Sequence, residues 1–409
     1  MSDMNRQRCV IYIGDFDLRN QNVQAHLVKN NAKILNRLGY KVAFIGVNRE
    51  ATREEIARLP KLDVGEGNLF LELENTLSVV GLLKYRSLAR RMISFFDEVA
   101  QDSQVQFVIS YQAPTYAIIL KRVAHWCRNN GAKYIVNCAD ITIFNSQPLL
   151  RRIMMTLNWN YLHKINKKYM DGLISVSRYI EKFYHKKGTP SVIIPPLYDE
   201  NVDNNYYTSD VTTFVYAGTP FVIKKNVNTK GMKDRLDKIL DLCLVLSKEG
   251  VEYRLEIIGI TRDVYTSCVP RHKEALEINS NIEFLGRMSH KDTLKEVKNA
   301  DFMLNIRDRN VMNEAGLSTK MVESVSLGTP VVMNSIGDTF LYLNEGVSGF
   351  KFTGDVQSDV ELLKTLCSMT KDERKSLKIE CANDKTFSLQ KYQMTFDSFL
   401  EEILAITNN

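Results

Sequence analysis

The residues best placed to do chemistry lie between Asn313 and Val332. Gly316 and Leu317 lead into a helical pattern whose first turn holds Ser318, Thr319 and Lys320; Gly328 stops it and Pro330 opens a strand. Amides at a helix start lack intrahelical acceptors, and the helix dipole adds partial positive charge there, so the two together form a pyrophosphate site. A capped loop–helix junction has the same composition, and spacing alone leaves both readings open. Glu323 follows Thr319 by four residues and Lys320 by three and shares their face, while Met321 and Val325 share another that can pack inward. A capping-box acid belongs three residues after the cap, so Glu323 is not one with either Ser318 or Thr319 as cap. It points where a nucleotide would lie.

Other chemistries lack their residues. The six histidines form no metal-spaced pair. There is no Gly-x-Ser-x-Gly elbow and no NTPase phosphate loop. The loop after Gly14 does not spell Gly-x-Gly-x-x-Gly, which counts against a dinucleotide oxidoreductase.

The block from Lys320 to Val332 resembles the donor-site helix of the retaining, GT-B fold glycosyltransferases (family 4-like, the Glu-x7-Glu group): Glu323, then Ser324 to Leu327, then Gly328-Thr329-Pro330-Val331. The segments 215–220, 255–259, 282–286, 172–177 and 193–196 fit the same family in order. The resemblance is strong over roughly 170–350 and weak over the first hundred residues. It implies two Rossmann-like domains facing across a cleft, with nucleotide-sugar donor and acceptor meeting between them. It gives Glu323 the ribose hydroxyls and assigns donor contacts to Gly218, Thr219, Gly316, Leu317, Ser318, Thr319 and Lys320. Base recognition falls to backbone near Gly286, Arg287 and Met288. The first motif glutamate belongs at Ala315, and the nearest acid is Glu314, one residue off in the loop before the helix. Thr219-Pro220 stands where the family's phosphate-clamp arginine follows Gly218. Arg307 or Arg309 supplies the missing cation, with an ion pair to Asp308 as the rival use. The clamp's lysine is Lys233, because Leu236, Ile239 and Leu240 follow at helical offsets; Lys230-Gly231 is the alternative, and Asn226–Met232 reads as an insertion. In the first domain, the loop carrying Gly14, Asp15 and Asn22 reaches over the cleft, and Asp140 lies near the reacting sugar or serves as a turn or cap. Glu314, Lys233 and Asp140 are thus the catalytic candidates. No metal or cofactor is implied beyond a UDP- or GDP-linked donor.

Elements to position these residues follow from periodicity. Apolar runs at 9–14, 41–46, 106–110, 133–137, 172–176 and 191–195 alternate with amphipathic stretches such as 22–38 and 114–129. The pattern restarts with 212–218, 253–259, 282–286, 302–306 and 330–334, with helices at 234–249, 290–299 and 319–327. Such strands predict parallel sheets covered on both faces, hence an α/β chain of two doubly wound domains. The expected organisation is an acceptor-side domain over 1–198, a linker over 199–211 just after Pro195-Pro196, a donor domain over 212–385, and a terminal helix over 386–409 that crosses back to the first domain.

At 409 residues the length suits two such domains, and 44% hydrophobic with 25% charged residues is ordinary for a globular chain. The net charge of +6 is too mild for a nucleic-acid binder. Seven scattered cysteines without a Cys-x-x-Cys pair fit a reducing compartment. With no signal peptide or membrane span, the expected location is cytoplasmic, peripheral on the inner face of the membrane. Residues 147–170 hold Arg151, Arg152, Lys164, Lys167 and Lys168 with no acid among interleaved apolar residues, and 82–92 hold Lys84, Arg86, Arg90 and Arg91. Both suit an anionic bilayer carrying a lipid-linked acceptor, or helices with one buried and one solvated face. The functional expectation is sugar transfer onto a glycan or lipid-linked acceptor in cell-surface polysaccharide synthesis. The rival, favoured by the displaced glutamate, is a catalytically silent nucleotide- or glycan-binding subunit; an epimerase lacks its acid–base groups.

Overall fold

In the computed structural model the described residues are 6–74, 84–111, 117–142, 144, 148–199, 205–221 and 233–406. They form two compact units, Met1–Asp199 with Leu389–Asn409, and Glu200–Ser388. The first is built on a parallel sheet of β1 (Gln7–Gly14), β2 (Lys41–Asn48), β3 (Leu69–Glu74), β4 (Ser103–Tyr111), β5 (Lys133–Cys138), β6 (Gly172–Ser175) and β7 (Ser191–Ile193), ordered β3-β2-β1-β4-β5-β6-β7. The second repeats the plan with β8 (Thr213–Ala217), β9 (Arg254–Ile258), β10 (Ile282–Gly286), β11 (Phe302–Asn305), β12 (Val331–Asn334) and β13 (Gly349–Phe352), ordered β10-β9-β8-β11-β12-β13. Both are doubly wound, and each winding reverses beside its first strand, between β1 and β4 and between β8 and β11. Open α/β sheets bind ligands at the carboxyl ends of strands at such a switch point.

Central strands are buried on both faces: Cys9 to Ile13 of β1 are 0% exposed. This is why they read as unbroken apolar runs. β3 and β13, absent from the sequence reading, are edge strands. Their sequences, LFLELE and GFKF, mix charge with apolar residues because one side faces solvent.

Two segments lie with a different neighbour than their place in the chain suggests. Tyr206 and Thr208, in the stretch read as a linker, are buried in the second unit, where buried Arg374 donates through Nη2 to the carbonyl of Ser209 at 2.6 Å. The boundary between units falls at Asp199/Glu200. The helix Leu389–Ala405 belongs to the first unit and packs against the helix Val23–Arg37 and β7. Gly172 makes that docking possible, since a Cβ there would meet Ile403 Cδ1 at 2.3 Å. Lys133 Nζ then donates to the Ile406 carbonyl at 2.7 Å. No helix among the described residues is long and apolar enough to cross a membrane.

Candidate functional site

Three strands of the second unit end in glycines: Gly218 after β8, Gly259 after β9 and Gly286 closing β10, with φ of 141°, 106° and 71°. Their backbones are laced together. Gly218 N–H donates to the Ile258 carbonyl at 2.9 Å, and Gly259 N–H donates to the Gly286 carbonyl at 2.6 Å. A Cβ on Gly218 would lie 2.1 Å from Lys320 Nζ, so glycine is what admits that ammonium to the strand end.

Lys320 enters this space from the first turn of the helix Thr319–Ser326. Its Nζ pairs with Asp234 Oδ2 and lies 4.7 Å from the centre of the Tyr216 ring. Arg307, beyond β11, donates through Nε to the other oxygen, Asp234 Oδ1, at 2.9 Å. The Tyr216 hydroxyl donates to Asp234 Oδ2 at 3.1 Å. Asp234 and Tyr216 are 0% exposed and Arg307 is 8% exposed. Burial by itself would raise the Asp234 pKa, but Lys320 and Arg307 outweigh it and hold the carboxyl at about 2. Two cations therefore share one buried carboxylate at the switch point, which leaves one positive charge uncompensated within the cluster.

The helix start beside them is bare. Ser318 holds the N-cap position but makes no capping bond, and its buried Oγ has no hydrogen-bond partner among the described residues. Asn305 is similar: 1% exposed at the end of β11, with neither side-chain atom hydrogen-bonded among the described residues. Orphaned buried polar groups call for a ligand or water. An anion at this point would find the Lys320 ammonium, the Arg307 guanidinium and uncapped amides together.

The remaining sequence candidates divide. Glu323 lies on the Lys320 face, and its Oε1 pairs with Nε2 of His290 at 3.1 Å. His290 begins the helix capped by Ser289, so Glu323 is tied to the segment of Gly286, Arg287 and Met288. Arg309 is exposed and pairs with Glu314 at 2.9 Å, whereas Asp308 pairs with Arg235 and Lys238, so neither arginine uses it. Glu314 corrects the reading of a loop residue: it lies in a one-turn helix, Val311–Ala315, and its Oε2 accepts from Gly337 N–H at 3.1 Å. Asn310 caps that turn, which explains the order. Gly316 and Leu317 join the two helices. Thr219 and Lys233 are exposed, and Lys233 N–H donates to the Pro220 carbonyl at 2.9 Å. Lys230-Gly231 and the insertion 226–232 lie outside the described residues.

In the first unit, Gly14 approaches β4 so closely that a Cβ would sit 2.4 Å from the Tyr111 carbonyl oxygen, and Asp15 pairs with Arg49. Asn22 caps the helix Val23–Arg37 by accepting from Ala25 N–H at 2.9 Å. Asp140 follows β5 and is partly exposed; its carbonyl accepts from Cys138 Sγ. Sequence reasoning missed Asp234, Tyr216 and Asn305. For Asp234 the available signal was an acidic residue directly after Lys233, just ahead of the helical offsets Leu236, Ile239 and Leu240.

Residues 212–369 match the family model described as Glycosyl transferases group 1. HepE of Anabaena, solved with UDP, superposes with a TM-score of 0.63 at 13% identity, covering 96% of this chain and 99% of that one. The fold is GT-B. Two other GT-B structures agree: a glycosyltransferase from Rickettsia africae (TM-score 0.63, 15% identity, 98% and 100% covered) and sucrose-phosphate synthase from Thermosynechococcus elongatus (0.60, 12%, 98% and 100%). No curated protein matches the chain. The match and the shared GT-B fold support a glycosyltransferase, and the cluster around Asp234 lies within the matched segment.

Proposed function

We propose that the protein is a retaining glycosyltransferase of the family 4-like group that moves a sugar from a UDP- or GDP-linked donor onto a glycan or lipid-linked acceptor in cell-surface polysaccharide synthesis. The observation that carries this reading is the pairing of Lys320 and Arg307 with the uncapped start of the helix Thr319–Ser326. Breaking the glycosidic bond loads negative charge onto the diphosphate. Preorganised cations and amides aimed at that charge are the largest catalytic contribution expected of such a site. Lys320, Arg307 and Lys233 would receive it, with the helix dipole, so that no metal is required. The acceptor hydroxyl then attacks on the face the diphosphate leaves and passes its proton to the departing diphosphate oxygen, which retains the anomeric configuration. HepE was solved with UDP, which favours a nucleotide as a ligand of this chain too.

The test separates Glu323 from Glu314. A nucleoside diphosphate at a hundred times its dissociation constant should stabilise the chain by about 2.7 kcal/mol in thermal unfolding. Glu323→Gln is expected to weaken bare diphosphate and nucleotide sugar alike, by about tenfold for one lost hydrogen bond of roughly 1.5 kcal/mol. Glu314→Gln should leave the diphosphate alone and lower turnover of radiolabelled donor. Nucleotide binding without any sugar transfer would instead support a silent partner subunit. One feature favours that rival: Glu314 is already engaged by Arg309 and the Gly337 amide.

Membrane attachment belongs to the same proposal. The helix Leu149–Tyr169 exposes Leu149, Leu150, Ile153 and Leu157, and none of its five lysines and arginines makes an ion pair among the described residues. The second cationic segment is less free, since Arg91 pairs with Glu74 at 2.6 Å; its residues 82 and 83, like 147 in the first, lie outside the described residues. At about 1 kcal/mol per basic residue near an anionic surface, neutralising Arg151, Arg152, Lys164 and Lys168 together should abolish sedimentation with anionic vesicles and leave nucleotide binding intact. A wild-type chain indifferent to such vesicles at low salt would refute the peripheral, inner-face placement.

A further inference from the structure

The first unit holds a cavity of about 530 Å³ where the chain leaves the carboxyl end of β5, walled by the helices Leu149–Tyr169 and Arg178–Tyr184. Its size falls within the range of small-ligand sites. Ile141, Phe144, Ile153, Leu157, Trp159 and Phe183 supply an apolar and aromatic lining. One polar group in it is both fixed and unsatisfied. His163 lines the cavity at 8% exposure, with its ring held edge-on by Trp159 and Phe183, each at 4.9 Å between centroids. Its Nδ1 shares a hydrogen bond with the Tyr184 hydroxyl, and its buried Nε2 has no hydrogen-bond partner among the described residues. Burial pulls the imidazole pKa down to about 4, so the ring is neutral near pH 7. In the tautomer in which the tyrosine hydroxyl donates to Nδ1, Nε2 carries the hydrogen and needs an acceptor.

The occupant's character follows from the rest of the wall. Ile153 and Leu157 line the cavity yet are 48% and 64% exposed, and the apolar stripe continues outward through Leu149 and Leu150. An apolar body can therefore run from solvent or a bilayer into the cavity without leaving hydrocarbon. Arg152, also lining it, has no carboxylate partner among the described residues, and the whole helix lacks an acid. An anionic headgroup would therefore meet that guanidinium without a competing carboxylate among the described residues.

We propose that this cavity binds a long-chain phosphate ester, its hydrocarbon against Trp159, Phe183, Ile153 and Leu157, its phosphate paired with Arg152, and one of its oxygens accepting from His163 Nε2. The assignment rests on the glycosyl-transfer reading only for its role: the ester is then the lipid carrier of the acceptor sugar.

Trp159 reports directly on the site, because the chain has two tryptophans and the other, Trp126, is locked in the core by Phe96 and a 2.8 Å bond to Asp97. The probe is dodecyl phosphate below its micelle concentration, added to wild type and to Trp126→Phe, with calorimetry on wild type as a reporter-free measurement. Saturable change of Trp159 emission is expected. Hexyl phosphate should bind at least tenfold more weakly, since each buried methylene is worth about fourfold, and dodecanol at least tenfold more weakly because it lacks the phosphate's charge-assisted hydrogen bonds. Inorganic phosphate should leave the emission unchanged. Leu157→Glu, at an exposed position that folding does not need, should weaken dodecyl phosphate at least tenfold and leave stabilisation by UDP unchanged. Arg152→Ala should weaken dodecyl phosphate and spare dodecanol. The proposal is overturned by either of two results: inorganic phosphate competing as well as the ester, or Leu157→Glu binding like wild type. Ester binding without nucleotide binding would sink the glycosyl-transfer reading and keep this one; nucleotide binding without ester binding would do the reverse.

Discussion

Asp234→Asn is expected to lower the unfolding free energy of the second unit by about 3–5 kcal/mol, the cost of removing one partner from a buried ionic cluster. The substitution keeps the volume and an acceptor for Arg307, but presents an amide to the Lys320 ammonium and leaves two cations without a countercharge. Urea unfolding measures the loss. The functional consequence runs the other way. If a diphosphate binds where Lys320 and Arg307 meet, it supplies the missing anion, and UDP should stabilise the variant by more than it stabilises wild type. Equal stability of the two proteins, or a smaller nucleotide effect in the variant, would show that these cations do not serve the donor. Acid sharpens the comparison. The Asp234 carboxyl lies at about 2 in the folded chain, below its ordinary value of about 3.9. A depressed acid contributes stability that is full above about pH 4 and lost as pH falls through 2. The gap between wild type and variant should therefore close over that window.

Gly259→Ala should be nearly as damaging, for a purely geometric reason. At φ 106° an alanine already costs about 1–3 kcal/mol. Its Cβ would also sit 2.5 Å from the Gly218 carbonyl oxygen and 2.7 Å from the carbonyl carbon, backbone atoms that cannot rotate away. Relief requires β8 and β9 to part at their carboxyl ends, which moves Gly218 relative to the Lys320 ammonium. We expect a lower melting temperature and at least tenfold weaker nucleotide binding. Gly250→Ala is the control: its φ is 72°, and nothing lies within 4 Å of the added Cβ. It carries the backbone strain without the collision. If both variants bind nucleotide equally well, the close approach of the strand ends plays no part in forming the site.

Much of this architecture was readable from residue patterns. Strands such as Val10–Ile13 and Phe107–Ile109 are buried on both faces, and full burial writes itself as an uninterrupted apolar run. The glycines 218, 259 and 286 were visible as strand terminators, because a positive φ excludes most other residues. The helix start at Ser318–Lys320 was visible for the same kind of local reason. What stayed hidden was pairing at a distance. Nothing local to Asp234 says that Lys320, 86 residues on, and Arg307, 73 residues on, converge on its two oxygens. The exposed Lys233 looked the better cation because its neighbours set a helical phase, whereas Lys320 looked like one more residue of a first turn.

By itself, then, the sequence determined two doubly wound α/β units and an anion-friendly helix start, since burial and backbone conformation leave marks in residue type and period. Only the tertiary structure decided which cations stand at that helix start. It also fixed how the terminal helix, expected over 386–409 to cross back, docks on the first unit, and it closed aromatic walls around His163. Those outcomes depend on strand order and on close approaches such as Ile403 over Gly172. Such contacts join residues far apart in the chain, and a single sequence carries no period that records them.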